Sequence, residues 1–481
     1  MPDQPNLSLA VRVVCLCLLA VAPRALAFDP AASLVEIEVS GLAYDETIPW
    51  ITRSEQTRKN GVVIEGRRIL TTADGLAGQY LTRIKKRGES RQYTARLEWA
   101  DFYANVAVFE VEEPAFWEGL AAVPLADVVP QSGDLRVYRW SSGRIEERSG
   151  EIVRLFVGQS KTSYLRHLVL ALSSEIESAG WAEIVVRDET LVGLTASVTS
   201  KTLFVLPAPF IADLLERKAR AEDSPLGHFD FHWMPARNPA LPASKGLDRR
   251  DEGVVVTEVG RRRLSDNTLR PGDIILSVDG FPIDSEGQYI DPDYGRLSMD
   301  GLATRRHAAG DRLPMRIWRD GAGQEVEYEL PPADFSDSLI PEQRFESPPA
   351  YLMAGGLVFQ PLTGPLLRSF GKNTPLLLEY YATRPPLEGR RGLVLLGRVL
   401  PDDYNRGYEG LAYVLVDRIN GRTIHHLADV ADAFEHAEDG FHRIEFMPDE
   451  NVRHLVLDAE ALPDATLRVL QSYRIPSASS Y

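Results

Sequence analysis

"RRILTTADGLAG", residues 67–78, follows "GVVIE" and precedes a long alternating stretch. Ile69, Leu70 and two threonines favour an extended chain, and Ala73–Asp74–Gly75 then breaks it. The segment reads as a strand turning into a loop or short helix, with Asp74 at the turn. The same texture extends outward in both directions. From 34 to about 215 the chain runs through "LVEIEVSG", "YTARLEWA", "NVAVFEVE", "DLRVYRW", "GEIVRLFVG", "LRHLVLAL" and "TLFVLPA". Regularly spaced strands separated by Gly, Asp and Pro turns define an all-β barrel or sandwich. "APFIADLLERKARAE" (208–222) has helical spacing and a charged tail, which suits a helix closing that unit.

The whole chain has 481 residues, enough for several domains. Its net charge of −16 argues against nucleic acid or an anionic membrane surface as a partner. "VVCLCLLAVA" is a short apolar run after Arg12, and "ALA" at 25–27 has the small residues of a signal-peptidase site. Residues 1–27 are therefore expected to be a signal peptide and the mature protein exported, to the periplasm if the source is Gram-negative. No later stretch is apolar for about 18 residues, so no integral membrane segment is expected. Cys15 and Cys17, the two cysteines, both fall in the leader, which leaves the mature chain no disulfide or thiol chemistry.

Beyond a mixed, Pro-rich stretch (222–250), "GVVVTEV" and "LRPGDIILSVDGFPI" open a second unit. It ends in a hairpin about Asp320–Gly321. A third unit starts near "YLMAGGLVFQPL" and contains "YVLVDRINGRTIHHLADVADAFEHA": strand, Asn–Gly turn, strand, amphipathic helix. "VLVDRINGRTI" and "IILSVDGFPI" form a weak internal repeat, which suggests that the two units share a fold.

Taken in order, "GRRILTTADGL", "RIKKRG", "FWEGLAAVPLAD", "LRPGDIILSVDG", "AGGLVFQPLTGP", "NRGYEGL" and the C-terminal "LVLDAEALPDATLRVLQSYRIPSASS" resemble the HtrA/Deg family of serine peptidases and chaperones. The similarity is to the plant-type branch with two PDZ domains. It implies a mainly β chain, with a trypsin-like double β-barrel followed by two PDZ-like α+β domains. The expected bounds are 28–222 for the barrels, 223–335 for the first PDZ-like domain and 336–481 for the second with its extension. Assembly through the barrels, as a trimer, is implied only by the resemblance.

The family's chemistry needs a serine activated by a histidine that an aspartate orients. The matching positions here are Asp74, Asn105 and Gly180. An ordinary carboxylate is a poor base for a serine hydroxyl, and Asn105 brings no charge. Glu177 and Glu183 near the nucleophile loop are expected to oppose an oxyanion. The expectation is therefore a pseudo-protease, not an enzyme. The alternative is a serine endopeptidase using Ser178, two residues before Gly180, with a non-standard base. The scattered histidines form no zinc-peptidase pattern and no cofactor motif is present.

A PDZ domain adds an extended peptide to a sheet edge. The match to the family's carboxylate-binding loop is "FDF", Phe229, Asp230 and Phe231. Asp230 sets a negative charge beside an incoming carboxylate, which disfavours capture of C-terminal ends. The function expected is an exported scaffold or chaperone-like factor that binds peptides or envelope proteins.

Overall fold

The computed structural model describes residues 28–481 other than 176–180, 221–223, 249–250, 261–268, 334–338, 343–344, 346 and 384–388. The leader, Ser178, Gly180 and Glu177 thus lie outside the described residues.

Twelve strands make two closed barrels. The first contains β1 (Leu34–Tyr44), β2 (Thr52–Ile64), β3 (Arg68–Thr71), β4 (Gln79–Lys86), β5 (Tyr93–Asp101) and β6 (Val106–Glu110). It closes in the order β1-β2-β3-β6-β5-β4. The second contains β7 (Asp134–Ser141), β8 (Arg144–Gln159), β9 (Arg166–Ser174), β10 (Ile184–Arg187), β11 (Thr190–Thr199) and β12 (Thr202–Pro207). Alternation explains the cores. Val35, Ile37 and Val39 point inward from β1 with Ile69, Ile84 and Phe109, while Glu36 and Glu38 face out. Leu34, Val62, Leu70, Val106, Ile184 and Leu194 fill the seam between the barrels. Helix α1 (Ala208–Ala219) seals this seam with Phe210, Ile211 and Leu214. The fold expected from the sequence, mainly β with a trypsin-like pair of barrels, is the fold observed.

A third sheet contains β13 (Phe231–Pro235), β14 (Val254–Val259), β15 (Ile274–Val278), β16 (Phe281–Pro282), β19 (Arg312–Arg319) and β20 (Ala322–Glu329). Its order is β13-β14-β15-β19-β20, with β16 paired to β15. A small hairpin of β17 (Gln288–Asp291) and β18 (Gly295–Ser298) leads to the 3-10 segment Met299–Thr304. The fourth sheet contains β21 (Tyr351–Ala354), β22 (Leu357–Pro361), β23 (Val394–Val399), β24 (Val414–Ile419), β25 (Arg422–Thr423), β26 (Phe441–Phe446), β27 (His454–Asp458) and β28 (Ser479–Ser480). Helix α2 (Leu427–Phe434) follows β25 and helix α3 (Leu462–Tyr473) follows β27.

From β22 onward the fourth sheet repeats the third. β22-β23-β24-β26-β27 with β25 on β24 matches β13-β14-β15-β19-β20 with β16 on β15. One difference matters. β13 is an edge strand, whereas the matching edge of β22 is covered by β21, and β28 is added outside β21.

Candidate functional site

Strands β3 and β6 are neighbours, with Thr71 opposite Ala107. This pairing brings Asp74, just after β3, to Asn105, just before β6. Asn105 is fully buried at φ 62°, a left-handed conformation that asparagine tolerates better than most residues. Its Oδ1 accepts the backbone N–H of Asp74 at 2.8 Å. The expected pair of positions is therefore adjacent in space, and the hydrogen bond runs to the main chain of Asp74.

The Asp74 carboxylate is 7% exposed and held between two amines that the sequence reading missed. Lys161 Nζ lies 2.7 Å from Oδ2, and Lys59 Nζ lies 3.4 Å from Oδ1. Burial pushes the Asp74 carboxyl up, but Lys59 and Lys161 together hold it below the usual carboxylate range. Lys59 is itself wholly enclosed, and burial pushes its ammonium down to about 8 against the pull of Asp74. It also donates to the backbone oxygens of Thr72 and Asp74, the latter at 2.6 Å. Thus Lys59 clamps the turn after β3 while neutralising the side chain that the turn presents.

Trp181 closes the other side. Its carbonyl accepts from the Asn60 N–H and Nδ2 groups at 3.2 and 3.1 Å, and Lys161 Nζ stands 5.0 Å above its ring. Ala182, next along, is buried at φ 54°, an uncommon conformation for alanine. Glu183 requires a correction. Instead of facing an oxyanion, it is fully buried, accepts from Arg139 at 3.2 Å and is bonded by Arg148. Its charge is spent on two guanidinium groups, which no local pattern in the sequence announces.

In the third sheet Phe229, Asp230 and Phe231 lead into β13. Phe231 is 5% exposed, and both phenylalanine rings pack against Tyr328, with centroids 5.7 and 5.4 Å away. Tyr328 Oη accepts the Asp230 N–H at 3.1 Å and donates to Asp230 Oδ1. Beside the β13 edge is a cleft of about 410 Å³ whose walls include Tyr164 and Arg166 of the second barrel, His232, Trp233 and Asp300. Trp233 Nε1 donates to Asp300 Oδ1 at 2.9 Å, and its ring packs on Gly287, where a Cβ would approach it to 2.3 Å.

In the fourth sheet the corresponding place is filled. β21 runs antiparallel to β22 through the two-residue turn Gly355–Gly356, with φ of 57° and 88°. Leu352 and Ala354 enter the same core as Leu427, Val430 and Ala433 of α2. An added strand between a sheet edge and a helix is how a PDZ domain holds a peptide. Here the chain supplies that strand itself. The tail then pairs outside it, with Leu352 opposite Ser479 and the Met353 N–H on Ala478 O at 2.7 Å.

Two barrels followed by sheets of this kind define a trypsin-like chain with PDZ-type architecture. Residues 340–481 match the family described as PDZ domain. The chain is 24% identical over 444 residues to "Putative protease Do-like 3, mitochondrial" of Arabidopsis thaliana, covering 90% of this chain and 76% of that protein. It is 26% identical over 465 residues to "Protease Do-like 2, chloroplastic" of the same plant, covering 93% and 74%. Among solved structures it is similar to "HtrA-type protease AlgW with tripeptide", at 17% identity and a TM-score of 0.49 over 63% of this chain and 94% of that one. The chain is thus similar over about nine tenths of its length to Do-like proteases and carries a PDZ-domain match over residues 340–481.

These relatives overturn one expectation. The chain was expected not to be an enzyme, because three positions had changed chemical type. The proteins it resembles along nine tenths of its length are named proteases, and nothing in the barrel junction establishes inactivity. Among the described residues, no three His, Cys, Asp or Glu side chains are grouped to hold a metal, and no helix is long and apolar enough to cross a membrane.

Proposed function

We propose that this chain is an exported Do-like protein that holds extended polypeptide segments at the β13 edge, acting as a scaffold or chaperone-like factor for envelope proteins. One observation carries the reading: among the described residues β13 has a strand partner on one side only, while the equivalent edge of β22 is already covered by β21. Backbone groups along β13 would supply the affinity, and the cleft walled by Trp233, Arg166 and His232 would sort side chains. Asp230 disfavours a terminal carboxylate, so internal segments are the preferred ligands. Residues 1–27 would direct export.

The test is binding of a fluorescent extended decapeptide to the full mature chain, in free-acid and amidated forms. Saturable binding that amidation leaves unchanged or strengthens supports the reading. Binding that requires the free carboxylate, or no binding at all, overturns it.

A second reading is favoured by Lys59, an amine whose pKa is pushed down to about 8 at the barrel junction. In this reading the chain is a serine endopeptidase. Ser178 Oγ attacks a peptide carbonyl as a lysine amine takes its proton, the amine returns that proton to the leaving nitrogen, and water releases the acyl group. Casein cleavage lost in Ser178→Ala, with phosphonate labelling of Ser178 in the parent, would support it. Cleavage unchanged in that variant would sink it.

A further inference from the structure

The cleft beside β13 is walled in part by the second barrel, through Gln159, Tyr164 and Arg166. Arg166 opens β9 and stands opposite Gln159 at the end of the β8–β9 pairing. Its place is fixed from three directions. The strand pairing holds its backbone, and Thr304 Oγ1 donates to its carbonyl oxygen at 2.9 Å. Asp300, which like Thr304 belongs to the 3-10 segment, faces its Nε from 3.6 Å. That segment lies so close to the barrel that a Cβ on Gly301 would come within 2.5 Å of Val157 Cγ2.

The Arg166 side chain is nevertheless 54% exposed, and among the described residues its guanidinium donates no hydrogen bond. Asp300 is already served by others: Oδ1 takes Trp233 Nε1 at 2.9 Å and Oδ2 takes Ser298 Oγ at 3.3 Å. The described walls thus hold one carboxylate with partners and one guanidinium whose N–H groups remain open, with His232 exposed on β13. A planar fork of donors is matched by a carboxylate, and charge-assisted bonds of that kind are about twice as strong as neutral ones. Position decides which carboxylate. Asp230 lies three residues before Trp233, about 10 Å away along an extended strand. A chain end at Asp230 meets negative charge, whereas a side chain beside Trp233 and Asp300 meets Arg166.

We infer that Arg166 makes this cleft selective for extended segments with an internal glutamate or aspartate, whose side-chain carboxylate docks on the guanidinium. This selection rests on the proposed addition of a strand to β13 and names the class of segment taken. The second barrel then supplies the specificity residue for a strand bound by the third sheet.

The probes are N-acetylated, C-amidated decapeptides on a common Ser/Thr/Val sequence, titrated calorimetrically into the full mature chain. A single glutamate, or glutamine in the matched peptide, is moved through the central positions. At one position glutamate should bind about tenfold tighter than glutamine. Arg166→Gln should bring that ratio to one. Arg154→Gln removes the same charge from β8 outside the cleft, where the guanidinium lies over the Phe156 ring at 4.3 Å, and should leave the ratio intact. Equal affinities at every position would overturn the selectivity while leaving strand addition standing, and no binding of any peptide would overturn both. A ratio that survives R166Q, or falls equally in R154Q, would overturn the assignment to Arg166. So would loss of the glutamine peptide along with its partner in R166Q, since Arg166 would then shape the cleft without selecting.

Discussion

Lys59 and Asp74 are joined twice: the ammonium donates to the Asp74 backbone oxygen at 2.6 Å and faces its carboxylate at 3.4 Å. Lys59→Met removes both contacts and also frees the Thr72 carbonyl. Breaking one partner of a buried pair typically costs about 3–5 kcal/mol. The variant should unfold at clearly lower urea than the parent, and an unchanged midpoint would show that the clamp contributes nothing.

Lys59 also gives stability a direction with pH. Its folded pKa of about 8 lies below its ordinary 10.5. Between these values the unfolded chain binds more protons than the folded one, so the Lys59 contribution grows as pH rises from about 8 to 10.5. Urea midpoints of the parent relative to Lys59→Met should diverge over that window. Parallel curves would refute the buried titration.

His167 acts at the acid end. It is wholly enclosed, stacks on Phe210 at 4.7 Å, and burial pushes its pKa down to about 4. Here too the unfolded state binds the extra proton, so stability is lost as pH falls from about 6.5 towards 4. The gap corresponds to roughly 3 kcal/mol. His167→Phe should flatten part of that decline in urea unfolding between pH 4 and 7. His442 is lowered in the same direction and should leave a residual slope.

At the β13 entrance, Asp230→Asn removes the charge while keeping a group that Tyr328 can reach. Free-acid peptides should then gain about three- to tenfold in affinity, corresponding to about 0.6–1.4 kcal/mol, with amidated peptides unchanged. Equal changes in both forms would mean that Asp230 does not read the peptide end.

Gly356 sits at φ 88°, and a Cβ there would lie 2.4 Å from Asn405 Nδ2 and 2.5 Å from Leu400 O. Gly356→Ala should therefore loosen the β21–β22 hairpin and raise amide exchange selectively over 351–361. Uniform protection in both proteins would contradict this.

Turn chemistry made much of the fold legible. Asp279–Gly280, Asp320–Gly321 and Asn420–Gly421 all adopt paired positive φ angles between antiparallel strands, as their residue types suggest. Helix α1 ends at Ala219, a few residues before its charged pattern does. The junction was less legible. Asp74 and Asn105 were singled out as altered positions, but Lys59 and Lys161 enter from 15 and 87 residues away. Only closure of the barrels brings them there. Glu183 was misread for the same reason, since Arg139 and Arg148 come from other strands. "YLMAGGLVF" marks only the start of the third unit in the sequence; its role as an edge cover depends on register across Gly355–Gly356.

That cover changes the competition for the last sheet. A foreign segment approaching β22 must displace a rival tethered two residues away, and short tethers correspond to effective concentrations in the millimolar range. Micromolar intrinsic affinity would therefore give almost no occupancy. The sheet that most resembles a peptide receptor in sequence is the one an outside ligand reaches last.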